Sequence, residues 1–443
     1  MPNTETDRTE IKLSLIAGHA ARDRNMKFTS LAHLLNVDHL RRCFKSLDRN
    51  KAKGADNVSW YDYNENLEEN LIKLVEKLKK KSFKPVPALR VYINKEDGRK
   101  RPLGISAIEN KIVEKGMKRI LEAIYEQDFL GQSHGFRPKK GCHTAIKELN
   151  DLITFNSVNH IVECDIKGFF DNVSHEKLME FLRIRIADTS LLYLIEKFLK
   201  AGYIDDGMLK RSENGTPQGS IISPIFANIY LHYVLDVWFE KTVKTHVKGF
   251  CELVRYADDF VCVVQFKEDA KRIERAIQNR MNKYGLEIHP DKSSCSSFGK
   301  YERENAKAQK RKANTFDFLG FTHYCTTSRK GRFKIGRKTQ KKKYNASLKR
   351  MNLWLKMNRN KMTSRELWKE ISAKLNGHYQ YYGVSENSRS INNFYHECIK
   401  MIKKWLERRS QKSKITWENY ARYLEIFPLP KPSIKVSLYD RVV

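Results

Sequence analysis

Asp165 closes a short apolar run, HIVECDI at 160–166, and Asp258 with Asp259 lies between two others, Leu253-Val254 and the stretch 260–264. Carboxylates at the ends of buried strands are costly unless something cationic compensates them. Hard divalent ions are suited to this, magnesium taking one or two carboxylates together with substrate phosphate oxygens. Two such ions can activate a hydroxyl nucleophile and stabilise the leaving group of an in-line displacement at phosphorus. A lone Asp-Asp is more often a solvated turn, and short motifs match by chance. The surrounding chain therefore has to decide.

The elements that would position these acids can be read in order. The strand at 160–166 is followed by helical patterns at about 175–186 and 190–200, then a polar turn region. A largely buried helix at 223–241 opens at Pro224. Two β-rich runs in 253–266 flank Tyr256-Ala257-Asp258-Asp259, and Ala270, Ile273, Ile277 and Met281 recur at helical spacing. Further strands are expected in 285–294 and 316–321. Strand, helices, hairpin, helix, strand is the order of a split βαβ, ferredoxin-like unit. Upstream, 1–60 is polar and weakly patterned. Leu67, Leu71, Leu74, Val75 and Leu78 share a helical face, and 84–105 reads as a basic β-hairpin turning at Asp97-Gly98. Beyond about 335 the pattern is helical, with Ile391, Phe394, Cys398, Ile402 and Trp405 on one face. The class is α+β, divided at 1–90, 91–330 and 331–443, where charge peaks and hydrophobic periodicity lapses.

The chain has 443 residues, with 84 Lys plus Arg against 52 Asp plus Glu, a formal charge of +32. Hydrophobic residues at 40% can build cores, which excludes wholesale disorder. No apolar run approaches the roughly 18 residues of a membrane span, and the start lacks the layout of a signal peptide. A cytoplasmic, prokaryotic-type protein without membrane partners is expected. The eight cysteines form no C-x-x-C pair, so reduced and mostly buried thiols are expected. Residues 300–350 hold 17 Lys or Arg and three acids, Glu302, Glu304 and Asp317, with Tyr301, Phe333 and Tyr344 interleaved. That composition suits a surface tracking a nucleic-acid backbone.

In chain order stand KEDGRKRPLGI (95–105), GFRPKKG (135–141), CDIKGFFD (164–171), GTPQGSIISP (215–224), RYADDF (255–260), GLEIHPDK (285–292) and FDFLGF (316–321). This series resembles the ordered blocks of reverse transcriptases, most closely the maturases encoded by group II introns, over roughly 40–440. The resemblance implies a right-hand polymerase with fingers, a ferredoxin-like palm and a helical thumb or maturase-specific domain. It implies extension of a primer with dNTPs on an RNA template, using two Mg2+ ions, with Mn2+ also suited to the hard ligands. Asp165 and Asp258 would ligate both ions, with Asp259 at the same centre. Phe170 would abut the sugar and exclude a 2′-hydroxyl, while Phe169 packs in the core. Lys95 and Arg101 would clamp the triphosphate, Gln218 and Gly219 would meet the nascent base pair, and Lys292 would protonate pyrophosphate. Phe318, Leu319 and Gly320 resemble the primer-grip turn. Arg137 would support the fingers or the template, in a Gly135-Phe136-Arg137-Pro138 loop that could also be structural.

Partners implied by the resemblance are template and primer, intron RNA and DNA. The sequence ends at Val443 without a recognisable H-N-H nuclease, so target cleavage is not expected of it. Two alternatives share the fold: a reverse transcriptase recruited to phage defence or another host role, and a non-catalytic RNA-binding splicing factor. A second Tyr-x-Asp-Asp, at 203–206, lies before the TPQG block and leads into Lys210-Arg211. It is read as a surface turn, and the catalytic pair is assigned to Asp258 and Asp259.

Overall fold

The computed structural model describes residues 5–94, 100–211, 213–216, 219–290, 293–409 and 415–439. The chain begins with helices α1 (Glu5–Arg22), α2 (Val37–Lys45), α3 (Trp60–Glu65) and α4 (Leu67–Lys79). Local signals fix the starts of α2 and α3. Asn36 accepts from the His39 amide at the head of α2, and Ser59 with Asp62 forms a reciprocal capping box on α3. Helix α1 was not expected from the weak pattern of 1–60. Among its described side chains only Thr9, Leu13 and Ala20 are deeply buried, and it packs on α5 (Ile108–Tyr125).

Strands β1 (Ala88–Asn94) and β2 (Lys100–Ile105) form the expected hairpin, with Leu89 opposite Ile105; its turn lies outside the described residues. After α6 (Cys142–Phe155) comes β3 (His160–Asp165), then α7 (Phe169–Asn172), α8 (His175–Arg185) and α9 (Thr189–Lys200). The next two strands, β4 (Tyr203–Asp205) and β5 (Met208–Lys210), correct the reading of 203–206 as a plain surface turn. They form a hairpin turning at Asp206-Gly207, where φ is 50° and 78°, the geometry for which Asp-Gly is favoured. Strand β4 adds in parallel to β1, giving the order β2-β1-β4-β5. Asp205 is 6% exposed and accepts hydrogen bonds from Tyr92 and Lys210.

Helix α10 (Ser223–Leu231) continues through wider turns at 232–236 and 239–243. Strands β6 (Cys251–Tyr256) and β7 (Asp259–Val264), helix α11 (Lys267–Lys283) and β8 (Ser294–Ser297) complete a sheet of order β6-β7-β3-β8. With α8 to α10 before the hairpin and α11 after it, this is the ferredoxin-like palm. Both sheet faces are covered. Val162, Cys164, Phe260 and Cys262 face the helices, while Ile161, Val261 and Val263 pack against Phe298 and Phe316.

After α12 (Glu302–Ala308), strands β9 (Thr315–Phe318), β10 (Phe321–Thr327) and β11 (Phe333–Thr339) make a third sheet. The β10–β11 pairing runs from Phe321 opposite Thr339 to Thr327 opposite Phe333. A boundary at 330/331 would cut this hairpin at its turn, so the helical region starts instead at α13 (Lys341–Asn358). Charge peaks there because Arg329, Lys330 and Arg332 lie in the β10–β11 turn, Lys334 and Lys338 on β11, and Lys341, Lys342 and Lys343 in the first turn of α13. Helices α14 (Ser364–Tyr382), α15 (Ser388–Glu407) and α16 (Trp417–Ile426) follow. Ile391, Phe394, Cys398, Ile402 and Trp405 are buried as their spacing demands. Among the described residues no cysteine is bonded to another, and no helix is long and apolar enough to cross a membrane.

Candidate active site

The central strands of the palm carry the acids to one place. Strand β3 runs antiparallel to β7, and its last residue, Asp165, lies directly opposite Asp259, the first residue of β7. Tyr256 also faces Asp259, so Ala257 and Asp258 are the two central residues of the β6–β7 turn. Ala257 has φ 56°, a conformation costing an L-residue roughly 1–2 kcal/mol. Asp258 and Asp259 are both half-buried.

The turn is held from beneath. Arg255 is fully buried and forms a two-pronged pair with Asp236, Nε to Oδ1 at 2.7 Å and Nη2 to Oδ2 at 2.5 Å. It also donates to Asn228 at 3.1 Å, Ser133 at 2.7 Å and the Ala257 carbonyl at 3.0 Å. Asn228 in turn donates to the Gly135 carbonyl. A Cβ on Gly135 would strike the Ala257 backbone nitrogen, so the Gly135-Phe136 loop and the acidic turn need glycine to touch. Sequence reasoning missed Arg255 and Asp236. The available signal was an acid in the middle of the apolar 223–241 helix, which needs a buried cation.

Asp165 and Asp259 line a cleft of about 900 Å³ together with Glu163, Phe318, Leu319, Gly320, Gln340, Lys341 and Lys343. Acids thus lie on its palm wall and cations on its helical wall. Burial pushes the Glu163 carboxyl above its usual range, against the pull of two donors, the Asp317 amide and the Ser294 hydroxyl. Asp317 also accepts from Thr322 and from Gln340, linking β3 through β9 to the residue before α13.

Leu319 and Gly320 are the central residues of the β9–β10 turn, with φ 49° and 77°. The Leu319 carbonyl accepts from the Tyr381 hydroxyl at 2.9 Å, and the Gly320 carbonyl from the Gln340 amide at 3.0 Å. Phe318 is buried, so this turn presents backbone rather than the Phe318 ring.

Phe169 is 2% exposed, whereas Phe170 is half-buried and packs edge-on against it. The Thr216 amide donates to the Phe170 carbonyl and the Gly215 amide to the Val173 carbonyl, both at 2.7 Å. The loop before Gly219 is thereby tied to the Phe170 segment. Arg101 is exposed on β2, opposite Ile93. Lys95, Gln218 and Lys292 lie outside the described residues. Arg137 is turned inward. It donates to Glu126 at 3.0 Å and to the Leu130 and Ser133 carbonyls, and its guanidinium lies over Phe129. Its guanidinium is thus engaged within the fold by Glu126 and two backbone carbonyls.

Among the described residues no group of three or more His, Cys, Asp or Glu could hold a metal ion by itself. Magnesium does not demand such a cage, because it keeps waters and takes phosphate oxygens as ligands. Two carboxylates opposite one another across a strand pair, beside a cleft, fit that donor chemistry.

A profile of the family described as reverse transcriptase (RNA-dependent DNA polymerase) matches residues 93–323, more than half of the chain. The chain belongs to the reverse transcriptase family. Relatives of this reverse transcriptase include the group II intron-encoded protein LtrA of Lactococcus lactis subsp. cremoris, 28% identical over 85% of this chain and 74% of that protein. A putative COX1/OXI3 intron 1 protein of Saccharomyces cerevisiae is 32% identical over 50% of this chain and 32% of its own. Protein YkfC of Escherichia coli is 36% identical over 41% and 55%. The enzyme is an RNA-directed DNA polymerase of the intron-maturase kind, built on the right-hand polymerase fold.

Proposed function

We propose that Asp165, Asp258 and Asp259 form the metal-binding centre at which this enzyme joins dNTPs to a primer on an RNA template. The observation that carries this reading is the placement of Asp165 opposite Asp259 at the mouth of a cleft whose other walls are the Leu319-Gly320 turn and the lysines of α13. Two Mg2+ ions held by these carboxylates would activate the primer hydroxyl and neutralise the leaving pyrophosphate.

The chain's own residues supply the rest by orientation. Phe170 stands against the sugar edge of the incoming nucleotide, where a 2′-hydroxyl would meet its ring. Arg101, with Lys95, attracts the triphosphate, and Gly219 with Gln218 lets the chain approach the nascent base pair closely. The Leu319-Gly320 backbone supports the primer end. Lys341 and Lys343 hold phosphates of the duplex, where Lys acts as a mobile point charge. Intron RNA is the natural ligand of the basic helical region, a reading supported by the intron-encoded relatives and by the charge of +32.

The test is extension of a DNA primer annealed to RNA, with Mg2+ and dNTPs, comparing wild type with Asp258→Ala. Extension by the wild type and a loss of at least about a thousandfold in the variant are expected, as for removal of a principal electrostatic contributor. Wild-type rates from Asp258→Ala would dismiss this centre.

A further inference from the structure

Glu114 sits in the middle of α5, 3% exposed, where an apolar residue would cost nothing to bury. Its carboxylate is instead fully used. One oxygen accepts from the Ile221 amide at 2.8 Å and the other from the Ser106 hydroxyl at 2.9 Å, and the Ser220 side chain bonds it as well. Ser106 immediately follows β2, and Ile221 lies two residues beyond Gly219. Gly219 has φ 109°, and a Cβ there would stand 2.7 Å from the Gly104 carbonyl oxygen of β2. The loop is therefore pressed on the fingers hairpin at Gly219 and pinned to α5 at Ile221. Its other end is tied to Phe170 and Val173 in the palm.

We infer that Glu114 is a positioning residue of the nucleotide site, fixing the loop that carries Gly219 at the distance from β2 and Phe170 at which an incoming dNTP is bound. The inference rests on the reading of Gly219 as a nucleotide contact. Three donors converge on one acceptor, so the geometry asks for oxygen lone pairs at this point rather than for a charge. A glutamine supplies an oxygen to the Ile221 amide and can donate its NH2 to a serine hydroxyl. An alanine leaves a buried amide and two hydroxyls to find other partners, and the loop is free to shift.

The experiment measures KM for dNTP, kcat and the Kd for primer–template in wild type, Glu114→Ala, Glu114→Gln and Gly219→Ala. Glu114→Ala is expected to raise KM about tenfold, equivalent to about 1.4 kcal/mol, with the primer–template Kd unchanged. Glu114→Gln should stay within about threefold of wild type, because the acceptor is retained. Gly219→Ala should raise KM whatever Glu114 does. If Glu114→Ala does not fold, Ser106→Ala, which removes one of the three donors, is expected to show a smaller rise in KM at constant Kd. An unchanged KM in Ser106→Ala would then overturn the inference. A wild-type KM in Glu114→Ala beside a raised one in Gly219→Ala overturns the role of Glu114 alone. Wild-type KM in both overturns the nucleotide-site reading as well. Parallel losses in KM and primer–template Kd would show general loosening and also overturn it.

Discussion

Arg255 donates to the carbonyl oxygen of Ala257, two residues further along the same chain, at 3.0 Å. The hairpin is thus tied to a guanidinium from its own strand. Because Asp236 neutralises that guanidinium without any exposure to solvent, the tie is anchored in the helix behind the sheet. The acidic turn owes its fixed position to a buried ion pair, and the two central strands supply only its register.

Arg255→Lys keeps the charge and loses the fork, so at most one of the Asp236 oxygens and one further acceptor can be served. We expect a stability loss of about 2–4 kcal/mol, near the cost of breaking a buried pair, and a kcat loss larger than any change in RNA affinity. Denaturant unfolding and primer extension measure the two. Wild-type values in both would mean that the turn holds its shape unaided.

Phe170→Ala should relax discrimination between dNTPs and rNTPs. The ring is half-buried against Phe169, so a modest stability cost of about 1–3 kcal/mol accompanies the change. The ratio of kcat/KM for dNTP and rNTP on one template is the readout, and a ratio equal to that of wild type would leave Phe170 as packing.

RNA affinity should fall steeply with salt, since each neutralised phosphate releases counterions. Replacing Lys341, Lys342 and Lys343 by alanine should flatten the log–log salt slope by about 2–3 units. Filter binding between low and moderate salt gives the slope. If the triple variant keeps the wild-type slope, the duplex passes elsewhere.

Burial holds His39, His232 and His378 down to about 4, from an ordinary value of 6.5. Above pH 6.5 these rings are neutral in both folded and unfolded chains. Between 6.5 and about 4 the unfolded chain takes up protons that the folded one refuses, so their contribution to stability is lost as pH falls. Glu114, Glu126, Asp128 and Glu163 are raised by burial and act in the opposite sense. A difference between variants isolates the histidine effect. His378 stacks on Phe394 with centroids 3.6 Å apart, a contact that phenylalanine can keep. The melting temperature of His378→Phe relative to wild type should therefore rise from pH 7.5 to pH 5. A difference that does not change with pH would refute the titration.

The palm was legible because its signals are local and strong: apolar strands, a buried helix opening at proline, and acids where strands end. What escaped was whatever depends on a distant partner. Arg255 stands in sequence only as the first letter of the RYADDF block, and Asp236, 19 positions earlier, shows why it is buried. Nothing near Arg137 in sequence names its partner, and Glu126, 11 positions earlier, is the acid it meets in the fold. Glu114 carries no signal at all, since a glutamate in a helix is ordinary until its neighbours leave no water around it. Helix α1 was missed because an element lying on the outside of α5 and α2 needs only a narrow stripe of apolar residues. The helical region began ten residues later than expected because lysines outside a hairpin look like a linker.

The tetrapeptides 203–206 and 256–259 differ in one letter, Ile204 against Ala257. Ile204 lies within a strand, paired with Leu209, while Ala257 occupies the positive-φ position of a turn. A β-branched side chain is excluded from that position more strongly than alanine. The small residue thus lets the chain reverse two residues earlier, at Ala257-Asp258, where the other copy turns at Asp206-Gly207. In one copy the first aspartate becomes a brace inside the sheet of β1, β2, β4 and β5; in the other it sits in the turn itself and the second lines the cleft. Isoleucine in one copy and alanine in the other thus accompany two uses of the same three letters, a sheet brace and a turn beside the cleft.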